Sequence, residues 1–189
     1  RYLPEPVSGF QRRPAADYLR ARRRLLQHNR PIADMASVAY KRAMTAKLTL
    51  RYEFSSDPND DFGWLALAVE TDRFTGRGGF WVQWQDVTEM APKLDAYPFS
   101  SEHPFVEEWG HCDSDGSNYE VIVGISILPA NKTGDLDVIV KIADHIDTRR
   151  QCQAVFRANY PDTANFASEL RAVMGRQRHN AVLLGRNVS

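Results

Sequence analysis

The sequence contains little cysteine and no long apolar run, and both shortages exclude classes of protein. Only Cys112 and Cys152 occur among the 189 residues. Two cysteines are too few for a disulfide framework, and their spacing is not that of a zinc site. No apolar stretch approaches the roughly 20 residues that a membrane-spanning helix requires. We therefore predict a cytoplasmic protein with two free thiols and no membrane association.

Neither sign of charge predominates overall, but the two signs are unevenly distributed. Residues 1–50 contain 11 Lys and Arg against 3 Asp and Glu, which leaves 13 against 21 for residues 51–189. The first segment therefore has a formal charge of +8 and the second one of −8. This division is typical of a basic arm that binds nucleic acid or an acidic partner, and equally of a basic segment that folds back onto its own acidic domain. We favour the second interpretation.

Helical patterns predominate near the beginning of the chain. Residues 15–27 are rich in Ala, Leu and Arg, and a helix there would end before Pro31, because the residue preceding proline avoids the helical region. The apolar spacing over residues 31–44 predicts a second helix. We therefore expect residues 1–45 to form a basic N-terminal helical arm and residues 46–189 to form a sheet domain, in one compact unit.

Beyond the arm, the apolar period changes to two, which indicates strands buried on one face. The clearest alternation runs from Tyr119 to Ile127. Further strands are predicted over residues 48–54, 64–70, 80–85, 136–142 and 151–157, and the short apolar piece over residues 181–184 could add an edge strand. The fold class predicted is α+β, with a mainly antiparallel sheet of about six strands covered by helices.

The connections follow from turn and capping residues. The glycine-rich segment over residues 75–79 predicts a hairpin turn, and residues 99–118 predict an irregular connection. A helix is expected to begin at Asp86 with Glu89 completing a capping box, and a second helix is expected over residues 159–174 with Gly175 as its C-cap.

The resulting order of elements is strand, strand, strand, helix, strand, strand, strand, helix, and it resembles that of the WapI-type immunity proteins and related bacterial domains. The resemblance is architectural, covers residues 46–175 and leaves the N-terminal helices outside. It implies a protein that acts by binding a cognate toxin. The segments that carry it are Leu48-Thr49-Leu50-Arg51-Tyr52, Trp64-Leu65-Ala66-Leu67-Ala68-Val69, Asp86-Val87-Thr88-Glu89-Met90 and Phe166-Ala167-Ser168-Glu169-Leu170.

The first functional hypothesis is a non-enzymatic protein-binding factor, such as an immunity or antitoxin-like protein, that neutralises a basic partner through an acidic surface. Complementary charge would accelerate the encounter and select the partner. Trp81 joins this surface because alternation along its strand places it opposite the core, where it needs a covering element or a partner. The candidate residues are Asp57, Asp60, Asp61, Trp81, Glu107, Glu108, Trp109, Asp113 and Asp115.

Two alternatives remain open. A nucleic-acid-associated protein would use the arginines of the arm, although no known base-reading module accompanies them. An enzyme with an unrecognised pocket would require His111, Cys112 or His145 to meet residues distant in sequence. The arginines of the first alternative are Arg20, Arg22, Arg23, Arg24 and Arg30.

No motif predicts a catalytic residue, a metal ligand or a cofactor. Residues 113–118 resemble part of a calcium loop, but Gly124 stands where that loop requires a glutamate. The glycines of residues 75–79 are not followed by the helix that a phosphate-binding loop requires. His145 falls in a polar connection, where charged residues are expected to be solvated.

Overall fold

The computed structural model describes residues 45–112, 116 and 118–188. The predicted N-terminal helical arm lies outside these ranges. Within them, the chain forms eight strands and two helices. In chain order these are β1 (Thr45–Phe54), β2 (Phe62–Glu70), β3 (Thr75–Gln83), α1 (Trp84–Leu94), β4 (Phe105–Cys112), β5 (Tyr119–Pro129), β6 (Asp135–Ala143), β7 (Gln151–Asn159), α2 (Tyr160–Met174) and β8 (Ala181–Asn187).

The strands form a single sheet in the order β3-β2-β1-β8-β7-β6-β5-β4, and every adjacent pair is antiparallel. The predicted α+β class with a mainly antiparallel sheet is therefore confirmed. The expected number of about six strands is wrong for the described part of the chain, which has eight. The two additional strands are β4, within the segment predicted to be irregular, and β8, which lies inside the sheet and not at its edge.

Apolar alternation does not reveal β4 because its buried and exposed residues do not alternate: only Phe105 is fully buried, and Glu107 and Glu108 precede the partly buried Trp109. The register between β4 and β5 shifts between Trp109 and Gly110, where one additional residue of β5 is accommodated. The bulged strand is β5, in which the consecutive residues Ile122 and Val123 are both buried.

One face of the sheet, called the inner face below, carries the hydrophobic core. Alternate residues of the strands point to this face and are fully buried, for example Leu48, Leu65 and Ile125. Both helices cover it with apolar residues spaced three or four apart. The buried helical residues are Val87, Met90, Ala91 and Leu94 in α1, and Thr163, Phe166, Ala167, Leu170 and Val173 in α2.

The sheet curls so strongly that β3 touches strands far from it in the strand order. A β carbon built on Gly76 would lie 2.0 Å from Cys152 Sγ in β7, and one built on Gly78 would lie 2.6 Å from Ile142 Cγ2 in β6. The glycines therefore permit the inner face of β3 to approach the inner faces of β6 and β7. The predicted hairpin turn over residues 75–79 is wrong, since these residues form the first part of β3.

The helix boundaries agree with the sequence for α2 and differ for α1. Asn159 caps α2, its side chain accepting the N–H of Asp162 while the Asp162 side chain accepts the N–H of Asn159. By contrast, α1 begins at Trp84, two residues before the expected start, and its N-cap Gln83 makes no capping hydrogen bond through its side chain. The Trp84 N–H instead donates to the Asp61 carbonyl at 2.9 Å.

Candidate functional site

The candidate site is a groove on the outer face of β1, β2 and β3, the face opposite the core. In register, Ala66 of β2 lies between Arg51 of β1 and Gly79 of β3, and Ala68 lies between Thr49 and Arg77. A solvated outer face normally carries polar side chains at such positions. Here alanines and a glycine form a low floor that leaves space above the sheet.

Aromatic side chains close one end of this floor. Trp64 and Trp81 are directly paired across β2 and β3, with ring centroids 5.6 Å apart in an edge-to-face arrangement. The Trp64 indole also lies over Gly79, where a β carbon would come within 2.7 Å of the ring. Gly79 therefore determines where the Trp64 ring can lie.

The connection between β6 and β7, residues 144–150, forms a wall of the groove. Its His145 ring packs edge-to-face on Trp64, with a centroid separation of 5.9 Å. The backbone closes on itself, because the Asp144 N–H donates to the Arg150 carbonyl and the Arg150 N–H donates to the Asp147 carbonyl, each at 2.9 Å. Ile146, near the tip, is 84% exposed.

The Asp144 carboxylate organises this wall. It accepts the backbone N–H groups of Ile146 at 2.8 Å and Asp147 at 3.3 Å. These hydrogen bonds lower the pKa of Asp144, and the positive charge of Arg150 contributes further. The carboxylate therefore remains ionised at neutral pH, and the loop retains its shape.

The groove has a volume of about 1060 Å³. This is slightly above the range of roughly 300–1,000 Å³ that is typical of small-molecule sites, so a polypeptide segment or a large ligand would fit. The lining combines the sheet floor, the aromatic end and the loop wall. The lining residues are Thr49, Arg51, Trp64, Ala66, Leu67, Ala68, Glu70, Thr75, Gly76, Arg77, Gly78, Gly79, Ile142, Ala143, Asp144, His145, Ile146, Arg150, Gln151 and Cys152.

Cys152 is the cysteine that lines the groove, and its environment disfavours reaction. Its thiol lies beneath Gly76, and burial raises its pKa. A thiol with a raised pKa is protonated at neutral pH, whereas a cysteine nucleophile requires the thiolate. The groove is therefore better suited to binding than to covalent chemistry at this residue.

The three acidic residues of the β1–β2 connection serve local structure. Asp57 accepts the N–H of Asn59, and Asp60 accepts the N–H of Phe62, each at 2.9 Å. The hydrogen bond from Phe62 lowers the pKa of Asp60. Asp61 Oδ1 accepts Trp84 Nε1–H at 3.3 Å, in addition to the carbonyl contact at the start of α1.

Glu107 and Glu108 do not share one surface, because adjacent residues of β4 point to opposite faces. Glu107 accepts a hydrogen bond from Lys93 Nζ at 2.7 Å, and its side chain is only 11% exposed. Glu108 accepts one from Lys141 Nζ at 3.3 Å. These two carboxylates of the expected acidic surface thus each have a lysine partner.

The other residues predicted to form the acidic surface or the basic arm differ in burial, and some lie outside the described residues. Trp109 is partly buried against the core. Trp81 is 54% exposed on the outer face, where alternation placed it. Asp113, Asp115 and the arginines of the predicted arm lie outside the described residues.

The histidines considered for an enzyme lie on opposite faces of the β2–β3 hairpin. His111 packs on Phe80, whose register partner is the buried Leu65, so this contact is on the inner side. His145 packs on Trp64, on the outer side. Cys112, at the end of β4, is exposed.

Sequence reasoning missed the groove, although one signal for it was present. Along β2, the outward positions include Ala66 and Ala68, where the polar residues of a solvated face were expected. The loop wall had no such signal, because only the tertiary fold brings His145 to Trp64.

In the described part of the chain, neither helix is long and apolar enough to cross a membrane. The same residues contain no group of three or more His, Cys, Asp and Glu side chains arranged to hold a metal ion. Comparison with known proteins finds no family model that matches the chain and no curated protein with significant similarity to it.

Proposed function

We propose that this protein is a non-enzymatic protein-binding factor and that the outer-face groove receives part of its partner. The observation that carries the proposal is the small and aromatic composition of an exposed sheet face, in which Trp81 and Trp64 adjoin Ala66, Ala68 and Gly79. Exposed apolar surface of this kind is costly in water and is typical of interaction sites. Tryptophan and arginine are also the residues most enriched at the energetic centres of interfaces.

The form of the groove supports binding of a partner. Its floor is a sheet and its wall is a loop closed by internal hydrogen bonds, so little conformational entropy would be lost when it is occupied. An immunity-type role, in which the partner is a toxin, is one form of this proposal. The groove supplies a more coherent surface for it than the acidic residues, because Glu107 and Glu108 face apart and are paired with lysines.

The test compares two substitutions that add the same side chain to the outer face. Ala66→Trp would fill the groove floor. Val155→Trp, at an exposed position of β7 that does not line the groove, is the matched control. Both variants and the unaltered chain serve as baits in lysate of the producing cells, at low and high salt, with mass spectrometry of bound protein and an assay for nucleic acid.

The expected result is a protein that is retained at high salt by the unaltered chain and by Val155→Trp, and lost with Ala66→Trp. Equal unfolding temperatures of the two variants would show that the loss is local. Equal retention by all three baits would contradict the groove as the binding site. Retention of nucleic acid alone, lost at high salt, would contradict the proposal and favour the arginine arm.

A further inference from the structure

One cation of the groove differs from the others in having no partner among the residues that the structure describes. Arg51 of the groove floor contacts Glu53 at 3.0 Å. Arg150 lies 3.6 Å from Asp147 and 3.9 Å from Asp144. Arg77, by contrast, has neither a hydrogen bond nor a carboxylate partner within the described ranges.

The position of Arg77 directs this unpaired charge into the groove. Its register neighbour on β2 is Ala68, and its neighbours on the same face of β3 are Thr75 and Gly79. None of these short side chains carries a carboxylate, and none is large enough to cover a guanidinium. The Arg77 side chain is exposed, and no other residue of the described ranges occupies any of its five N–H donors.

A guanidinium discriminates among ligands by charge and shape. Its planar arrangement of donors matches a carboxylate, which it binds through two parallel hydrogen bonds. Such a bond is stronger where solvent is restricted, as it would be above a floor covered by a bound segment. Arg77 therefore favours a ligand that carries a carboxylate.

The aromatic end of the groove specifies a second feature of the ligand. Trp81 and Arg77 are four residues apart on β3 and point to the same face, which places them about 13 Å from each other along the strand. An extended segment lying along β3 presents its own residues i and i+4 on one side at this same spacing. An apolar side chain over the Trp64–Trp81 pair is thus compatible with a carboxylate at Arg77.

We propose that the groove binds an extended acidic segment of the partner, in which Asp or Glu pairs with Arg77 and an apolar side chain four residues away covers Trp81. This proposal rests on the proposed function, because it names the part of the partner that the groove receives. Two arguments identify the occupant as an extended acidic segment. Its carboxylate complements the charge of Arg77, which has no partner among the described residues. The spacing of residues i and i+4 in an extended chain also matches the distance between Trp81 and Arg77.

The test selects ligands from a phage-displayed library of random decapeptides, with the full chain as bait. The unaltered chain is expected to enrich peptides with Asp or Glu four residues from an aromatic or large aliphatic residue. Arg77→Glu is expected to enrich Lys or Arg in place of the acid. Identical preferences for the two baits, or a selection without acidic enrichment, would overturn the proposal.

Affinity measurements on the peptide most enriched by the unaltered chain sharpen the test. Arg77→Gln should weaken binding about tenfold or more, since a hydrogen bond to a charged group is lost. Arg73→Gln, which removes an exposed arginine outside the groove, is the matched control and should leave affinity unchanged. Equal losses in both variants would indicate general charge attraction and would overturn the assigned role of Arg77.

Binding of a fluorescein-labelled oligo(dT) of 20 nucleotides tests whether the groove takes nucleic acid instead of an acidic peptide. Binding that is lost in Arg77→Gln but retained in Arg73→Gln would show that the groove takes nucleic acid, and the peptide proposal would fail. If Ala66→Trp blocks partner capture while the library shows no acidic preference, the proposed function stands and only this inference fails.

Discussion

Gly76 of β3 rests directly on the thiol of Cys152 in β7, so closely that a β carbon at residue 76 would lie 2.0 Å from Cys152 Sγ. Between these strands in the sheet order stand β2, β1 and β8. The contact is therefore made across the interior of the curled sheet and not along its hydrogen-bond ladder. The same strand presents Arg77 and Gly79 to the groove on its opposite face.

Gly76→Ala should destabilise the protein because the added methyl group overlaps the Cys152 sulfur. Overpacking of this kind costs about 1–3 kcal/mol in the free energy of unfolding. Cys152→Ala removes the sulfur, so the double variant should recover much of the loss caused by Gly76→Ala. Urea denaturation of the four proteins measures the coupling, and strictly additive losses would contradict the contact.

The buried Tyr52 should make stability depend on alkaline pH. Its hydroxyl donates to the Val82 carbonyl at 2.8 Å, and burial together with the charges of Asp60 and Asp86 raises the pKa of Tyr52 to about 12. Because the folded pKa exceeds that of the unfolded chain, near 10, the stabilisation is complete below about pH 10 and is lost as pH rises through about 12.

The variant Tyr52→Phe removes this titration. The difference in unfolding free energy between the unaltered chain and Tyr52→Phe should be constant from pH 7 to 9 and should shrink above about pH 10. Urea denaturation at a series of pH values measures it. A difference that stays constant up to pH 11.5 would show that Tyr52 titrates normally.

Glu169 of α2 should stabilise the junction at which β8 separates from β7. Only two residue pairs join these strands, and the Val182 N–H of β8 donates to Glu169 Oε2 at 2.8 Å. Glu169→Ala would leave this part-buried donor without its acceptor, at a cost of about 1–3 kcal/mol. Glu169→Gln keeps an acceptor oxygen and should cost less.

Glu169 also forms an ion pair with Arg178. The variant Arg178→Ala removes this ion pair and leaves the hydrogen bond between Glu169 and Val182 in place. Arg178 Nη1 lies 2.8 Å from Glu169 Oε1, with a side chain about half exposed. Arg178→Ala should therefore cost less than about 1 kcal/mol. Thermal unfolding that ranks Arg178→Ala as more damaging than Glu169→Ala would reverse this assignment.

The capping box of α2 predicts a local effect at its first turn. Asn159→Ala removes the side-chain acceptor for the Asp162 N–H and should cost about 1 kcal/mol. Hydrogen exchange should report faster exchange of the Asp162 amide. Asn159→Asp retains an acceptor at the N-cap and serves as the control, which should exchange nearly as slowly as the unaltered chain.

Elements in which local pattern and tertiary environment agree can be predicted from the residues of the chain. Leu48, Leu50 and Tyr52 alternate with polar residues because one face of β1 meets the core and the other meets water. The order of apolar and polar residues therefore predicts which face is buried. The start of α2 can also be predicted from the sequence, because Asn159 and Asp162, which cap this helix, are only three residues apart.

Tertiary structure alone decided the elements that depend on distant neighbours. Residues 75–79 have the composition of a turn, yet they form a strand, because their inner face must approach Cys152 and Ile142 without side chains of its own. The groove arises likewise when the curl of the sheet carries His145 onto Trp64. Periodicity indicates which face of an element is buried. The identity of the element that covers this face depends on contacts between residues remote in the chain. Such contacts leave no local pattern in the sequence.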